Sequence, residues 1–253
     1  MMQRLSLITV FTSLLLLSAC VTETSMPQKT VDKQAQLKAF IDLGVGYIRN
    51  REYQRAKDNL QKALQLDPRS PDAHNLFGLV FQLEGEYEVA DQYFRKAIEY
   101  DPYFTRARNN YGAFLYEQRR FEEAVQQLRV ASEDRLYNLR PQVFENLGVA
   151  LQRLDRKQEA EEAFTRAIQL NPEQPRSLLE LSEIRYDQNQ FLESRSFYRR
   201  YVRGNQQSAR SLWLGIRLAR RFGDTNEEAS LSLVLKNIFP ASDEYAAYKR
   251  TVR

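Results

Sequence analysis

The sequence is poor in the residues that carry most chemistry. It holds one cysteine, Cys20, and one histidine, His74, among 253 residues. A single cysteine excludes a disulfide framework within the chain, a Cys/His zinc site and a Cys–His catalytic pair. A Ser–His–Asp triad would have to use His74, and no G-x-S-x-G turn accompanies it. Glycine (9) and proline (8) are too scarce for a collagen-like or linker-like chain. Neither charge sign dominates: 37 Lys and Arg face 33 Asp and Glu, and a net charge of +4 does not point to nucleic acid. No phosphate-cradling glycine loop stands out, and the carboxylate pairs Glu122/Glu123 and Glu161/Glu162 read as solubilising helix surface. The residues therefore argue against an enzyme, a metal or organic cofactor, a nucleic-acid partner and a small-molecule substrate.

The N-terminus reads as an address. Arg4 is the only charge before Glu23, and the run Leu5 to Leu17 is mainly Leu, Ile, Val and Phe. That run is shorter than the roughly 20 residues a bilayer span needs and has the size of a signal-peptide core. It ends in Leu17-Ser18-Ala19-Cys20, which resembles the lipobox of bacterial lipoproteins. The resemblance implies that residues 1–19 are a lipoprotein signal peptide and that Cys20 carries a thioether-linked diacylglycerol and an N-acyl chain. Residue 21 is Val rather than Asp, which in the Gram-negative pattern implies sorting to the outer membrane, with the body on its periplasmic face. Residues 20–36, polar and broken by Pro27, read as a flexible tether.

Beyond the tether a fixed period appears. Gly44, Gly78 and Gly112 are 34 residues apart, and Gly148 follows after 36. Ala56, Ala90, Ala124 and Ala160 keep these spacings, as do Ala63, Ala97, Ala131 and Ala167. Pro68, Pro102 and Pro172 close three of the units. The period and its landmarks resemble the tetratricopeptide repeat (TPR), which implies an all-α superhelical solenoid of antiparallel helix pairs, A and B. Phasing gives repeats at 37–70, 71–104, 105–138, 141–174, 175–208 and 208–240, and a capping helix within 241–253. Small residues let A and B approach, and Leu60, Phe94, Leu128 and Phe164 are expected to fill the gaps between repeats. The fifth repeat departs from the pattern, with Ser182, Ser194 and Tyr201 where Gly, Ala and Ala belong. His74 falls at a packing position and is expected to be half-buried.

In a TPR stack the A helices line a concave groove. The phase places Ile41, Val45, Ile48, Leu79 and Leu83 there in the first two repeats, an apolar patch suited to an amphipathic helix or extended peptide. The third and fourth repeats place Asn109, Tyr116, Glu117, Glu145, Gln152 and Arg153 there, a polar middle. A Lys/Asn/Arg carboxylate clamp does not fit this register, since Ile41 and Val45 stand at its positions and only Arg106 is compatible. Residues 194 to 223 contain eight arginines and no acid. Arg199, Arg203, Arg217 and Arg220 make a possible secondary basic patch, against the plainer reading of a solvated face paired with nearby carboxylates.

Three segments carry a narrower resemblance: Asn109-Asn110-Tyr111-Gly112-Ala113-Phe114-Leu115, Phe144-Glu145-Asn146-Leu147-Gly148 and Leu212-Trp213-Leu214-Gly215-Ile216-Arg217. With the lipobox and the order of the repeats, they resemble the PilF/PilW family of type IV pilus biogenesis lipoproteins. That resemblance implies a secretin pilotin, an outer-membrane lipoprotein that binds the type IV pilus secretin subunit and promotes its localisation and ring assembly. A scaffold of another envelope machine, for β-barrel assembly or for recruiting peptidoglycan hydrolases or proteases, is the competing reading.

Overall fold

The computed structural model describes residues 32–251. Cys20 and the signal sequence lie outside the described residues. The described residues form thirteen α-helices. Six consecutive pairs are α1 (Lys33–Arg49) with α2 (Tyr53–Leu66), α3 (Pro71–Glu84) with α4 (Tyr87–Tyr100), α5 (Thr105–Glu117) with α6 (Phe121–Glu133), α7 (Arg140–Arg153) with α8 (Lys157–Leu170), α9 (Pro175–Asp187) with α10 (Phe191–Val202), and α11 (Ala209–Phe222) with α12 (Thr225–Ile238). The last helix, α13 (Asp243–Thr251), packs on α11 and α12. This is the all-α TPR solenoid the period predicts. The helical body starts at Lys33, inside the segment read as tether, because the Asp32 side chain caps the helix by accepting from the Gln34 N–H at 2.9 Å.

Size complementarity closes each pair. A Cβ added to Gly78 would stand 2.7 Å from the Phe94 ring, one at Gly112 would stand 2.6 Å from Leu128, and one at Gly148 would stand 2.6 Å from Phe164. The periodic glycines are therefore seats for the large B-helix side chain sixteen residues later, at a separation no Cβ tolerates. This adds a second contact to the expected filling of gaps between repeats by Leu60, Phe94, Leu128 and Phe164. Each first plugs its own pair and then reaches the next A helix, as Phe94 does against Tyr111 (centroids 5.7 Å apart) and Phe114 (5.4 Å). Phe94, Tyr111, Phe114, Leu128, Val143 and Phe164 consequently share one buried cluster that runs through the second, third and fourth pairs, with separate clusters at either end.

Both kinds of turn repeat as well. Between B and the next A, an Asp or Asn side chain accepts from the N–H two residues on: Asp67 from Arg69, Asp101 from Tyr103, Asp134 from Leu136 and Asn171 from Glu173. Between A and B, one left-handed residue reverses the chain in every pair: Arg51, Gly85, Arg119, Asp155, Asn189 and Gly223. Only two of these six are glycine, so four turns hold a side chain in a conformation that costs about 1–2 kcal/mol.

The irregular fifth pair closes by other means. Ser182 donates to the Ser194 carbonyl at 2.8 Å, and Ser194 donates to the Ser182 carbonyl at 2.7 Å, both buried. Tyr198 takes the place of the plugging Leu or Phe and is buried. Tyr201, standing where an alanine is expected, is buried with its hydroxyl on the Gln206 carbonyl at 3.2 Å. At the C-terminus, Leu212, Ile216 and Leu235 form a small core that Tyr245 and Tyr248 of α13 cover. His74 is buried rather than half-buried. Its ring lies against Tyr93 and Tyr100, with Nδ1 2.9 Å from the Ser70 carbonyl.

Candidate functional site

The A helices α1, α3, α5 and α7 each touch the next along one side of the stack. From α3 onward their facing side chains are joined by hydrogen bonds roughly one repeat apart in sequence. The Asn110 amide donates to Asn75 at 3.0 Å, and Asn146 to Asn109 at 3.2 Å. Gln82 donates to Glu117 at 2.7 Å, and the Ser177 N–H and hydroxyl both reach Glu145, at 2.9 and 3.0 Å. Gln152 donates to Glu180 at 2.9 Å. Arg106, the one residue compatible with a carboxylate clamp, faces Asp72 at 3.3 Å.

The ladder ends in an ion cluster. Arg210 of α11 donates to both oxygens of Glu180, at 2.8 Å each, and also holds Glu183. Burial pushes the Glu180 carboxyl up, but Arg210 and then Gln152 outweigh it and hold it below the ordinary carboxylate value. Glu180, Glu183, Glu161, Asp187 and Arg210 line a hollow of about 630 Å³ between the fourth, fifth and sixth pairs. Glu161 is held by Arg185 and Gln188, and Asp187 stays exposed with Arg217 4.0 Å away. Charge here serves repeat-to-repeat adhesion.

The polar middle read from the sequence is thus largely taken up within the molecule. Asn109, Glu117, Glu145 and Gln152 are rungs of the ladder, while Tyr116 and Arg153 both pack on Phe121, at 5.5 and 4.7 Å. The N-terminal end differs. Ile41, Val45, Ile48 and Leu79 are half-buried against the core of Ala56, Leu60, Leu76, Phe77 and Val80, and Leu83 is 52% exposed at the end of α3. The structure therefore keeps these five on neighbouring α1 and α3, with most of their surface spent on the core and Leu83 as the open one. Beneath them Phe77, Phe81 and Tyr93 stack at 4.9–6.0 Å, a stiff floor the sequence reading missed. Its signal was the recurrence of aromatics four residues apart on α3.

The basic patch divides. Arg217 lies over Tyr186 at 4.4 Å and near Asp187, and Arg220 donates to Glu228 at 2.6 Å and to Thr251. Arg199 and Arg203 instead line a depression on α10 with Arg195 and Arg200. Among the described residues, no three His, Cys, Asp or Glu side chains are grouped so as to hold a metal, and no helix is long and apolar enough to cross a membrane.

Stacked helix pairs whose A helices are tied one to the next by polar rungs define a helical-repeat scaffold. Tetratricopeptide-repeat family patterns match residues 37–70, 81–136 and 146–209. The chain is 42% identical over 235 residues to the type IV pilus assembly protein PilF of Pseudomonas aeruginosa (strain PAO1), covering 92% of this chain and 93% of that protein. It therefore belongs to the PilF family. A solved structure described as a functional characterisation of Pseudomonas aeruginosa PilF superposes with a TM-score of 0.84 at 42% identity, covering 87% of this chain and 99% of that one. PilW, described as a widely conserved type IV pilus biogenesis factor, shares the fold at TM-score 0.70 and 23% identity, covering 84% and 97%. So does YrrB, a TPR protein with an unusual peptide-binding site, at TM-score 0.61 and 17% identity, covering 76% and 97%.

Proposed function

We propose that this protein acts in type IV pilus biogenesis as an outer-membrane pilotin. Its body, anchored at an acylated Cys20 on the periplasmic face, binds the pilus secretin subunit through the α1/α3 end of the groove and promotes its localisation and multimerisation. The observation that carries this reading is near-full-length likeness to a type IV pilus assembly protein. The groove supports it. The polar stretch is occupied by its own hydrogen bonds, which leaves exposed Leu83 and the uncovered edges of Ile41, Val45, Ile48 and Leu79 as its apolar opening.

The physical mechanism is confinement. Each buried methylene contributes about 0.8 kcal/mol, and two acyl chains suffice for stable anchoring. A groove held at the membrane raises the effective concentration of a captured secretin segment there. Covering strand edges of an unassembled subunit also limits misassembly.

The test is charge at the open residue. Leu83→Glu, at an exposed position, leaves the melting temperature unchanged and abolishes secretin multimers in the outer membrane, read by immunoblot. Val45→Asp, its fold checked by circular dichroism, gives the same loss. Normal multimers in both folded variants would overturn the site.

A further inference from the structure

One face of α10, with its C-terminal end, carries four arginines. Arg195, Arg199, Arg200 and Arg203 border, with Leu192 and Ser196, an open depression of about 410 Å³. Elsewhere in this basic stretch each arginine with a carboxylate in reach takes it: Arg210 holds Glu180 and Glu183, Arg217 lies near Asp187, and Arg220 holds Glu228. The four on α10 have no acidic partner among the described residues. Two are propped in place, Arg195 lying flat on the Phe222 ring at 3.6 Å and Arg200 donating to the Pro172 carbonyl. Arg199 and Arg203, one turn apart, are exposed. Like charges on one depression repel each other, and an anion relieves that repulsion.

Leu192 decides which anion. It is 71% exposed at the mouth of the same depression, on the face that carries Arg195, Arg199 and Arg203 by helical spacing. A bare leucine level with guanidiniums suits the boundary of a lipid layer, where arginines meet phosphates and the apolar side chain enters the acyl region. An acidic polypeptide would satisfy the arginines and leave Leu192 in water.

We propose that this face of α10 docks on a phospholipid surface with anionic headgroups, Arg199 and Arg203 gripping phosphates and Leu192 entering the layer. The surface is separate from the α1/α3 groove. It rests on the membrane location proposed above but not on the identity of the partner in the groove. In such a contact the solenoid lies against the membrane instead of swinging on its anchor.

The experiment is vesicle flotation with the chain from residue 20 onward carrying Cys20→Ser, so that no acyl chain contributes. Vesicles of phosphatidylethanolamine with phosphatidylglycerol carry the chain up, and vesicles of phosphatidylcholine alone do not. The double variant Arg199→Gln/Arg203→Gln lowers the partition coefficient about thirtyfold, each basic residue near an anionic surface accounting for about fivefold. Leu192→Ser lowers it severalfold, and Arg55→Gln on α2 leaves it unchanged. All these side chains are solvent-exposed, so melting temperatures match the parent. Equal partition of parent and double variant would overturn the proposal. So would binding to polyglutamate beads without binding to phosphatidylglycerol vesicles, or vesicle binding indifferent to headgroup charge. Secretin multimers in cells carrying the double variant report on the groove separately.

Discussion

At the scale of the single residue, glycine has two roles that one substitution separates. A Cβ added at Gly112 would stand 2.6 Å from the Leu128 side chain, whereas one at Gly46 of α1 would meet nothing within 4 Å. Gly112→Ala is therefore expected to lower stability by about 1–3 kcal/mol through overpacking. Gly46→Ala is expected to raise it by about 0.5–1 kcal/mol through helix propensity alone. Chemical denaturation of the two variants checks both signs. His74 supplies a pH prediction. Burial, the leading cause, pushes its imidazole below the ordinary value, with Lys96 adding to the effect and the Ser70 carbonyl opposing it. The folded chain then binds this proton more weakly than the unfolded chain does. Its contribution is complete above about pH 6.5 and is lost as pH falls through the folded value. His74→Phe, which suits the Tyr93 and Tyr100 surroundings, is expected to flatten the fall in melting temperature between pH 7 and pH 5. An unchanged slope would show that another group carries it.

At the scale of the element, the A–B turns and the fifth pair are where residues depart from what their backbone prefers. Arg119 holds a φ of 60° at a position that Gly85 fills in the preceding pair. Arg119→Gly is expected to stabilise by about 1 kcal/mol, and Gly85→Ala to destabilise by a similar amount, read from denaturant midpoints. In the fifth pair the Tyr198 hydroxyl is buried without a hydrogen-bond partner, and burial raises its pKa well above the ordinary tyrosine value. Tyr198→Phe removes an unsatisfied polar atom and is expected to stabilise by about 1 kcal/mol; a loss of stability would mean that the hydroxyl has a partner. These elements also mark how far the sequence could be read. Repeat number and phase were legible because glycine and alanine recur wherever two helices touch, and size alone enforces that. The Ser182–Ser194 exchange was not legible, because two serines replacing Gly and Ala look like decay until their reciprocal hydrogen bonds are seen. The asparagine rungs escaped because they join the fifth position of one A helix to the sixth of the next. Asn75–Asn110 and Asn109–Asn146 are thus one residue longer than the local period, a register that counting period by period passes over.

At the scale of the whole molecule, the stack is a rod of nearest-neighbour contacts whose two ends differ in chemistry. From the second pair onward, polar rungs and ion pairs tie each A helix to the next, ending in the Arg210, Glu180 and Glu183 cluster. At the first pair, α1 meets α3 through apolar side chains and leaves part of them open. The composition of the candidate site was legible in the sequence, since the resemblance to the tetratricopeptide repeat, once phased, placed Ile41, Val45, Ile48, Leu79 and Leu83 on the inner side of the first two pairs. Its depth was not. Four of the five are half-buried, and larger apolar exposures occur at Leu136 (95%) and Tyr103 (87%) in the B–A turns, where a period built on helices has nothing to say. For the proposed pilotin role, the partner touches the mouth at Leu83 rather than those turns or the B-helix side. Site-specific photocrosslinking in cells assembling pili asks this directly, with a photoreactive residue at Leu83, at Leu136 or at exposed Gln126 on α6. A secretin adduct is expected from position 83 and none from positions 136 and 126. Equal adducts from all three, or an adduct from position 136 alone, would contradict it.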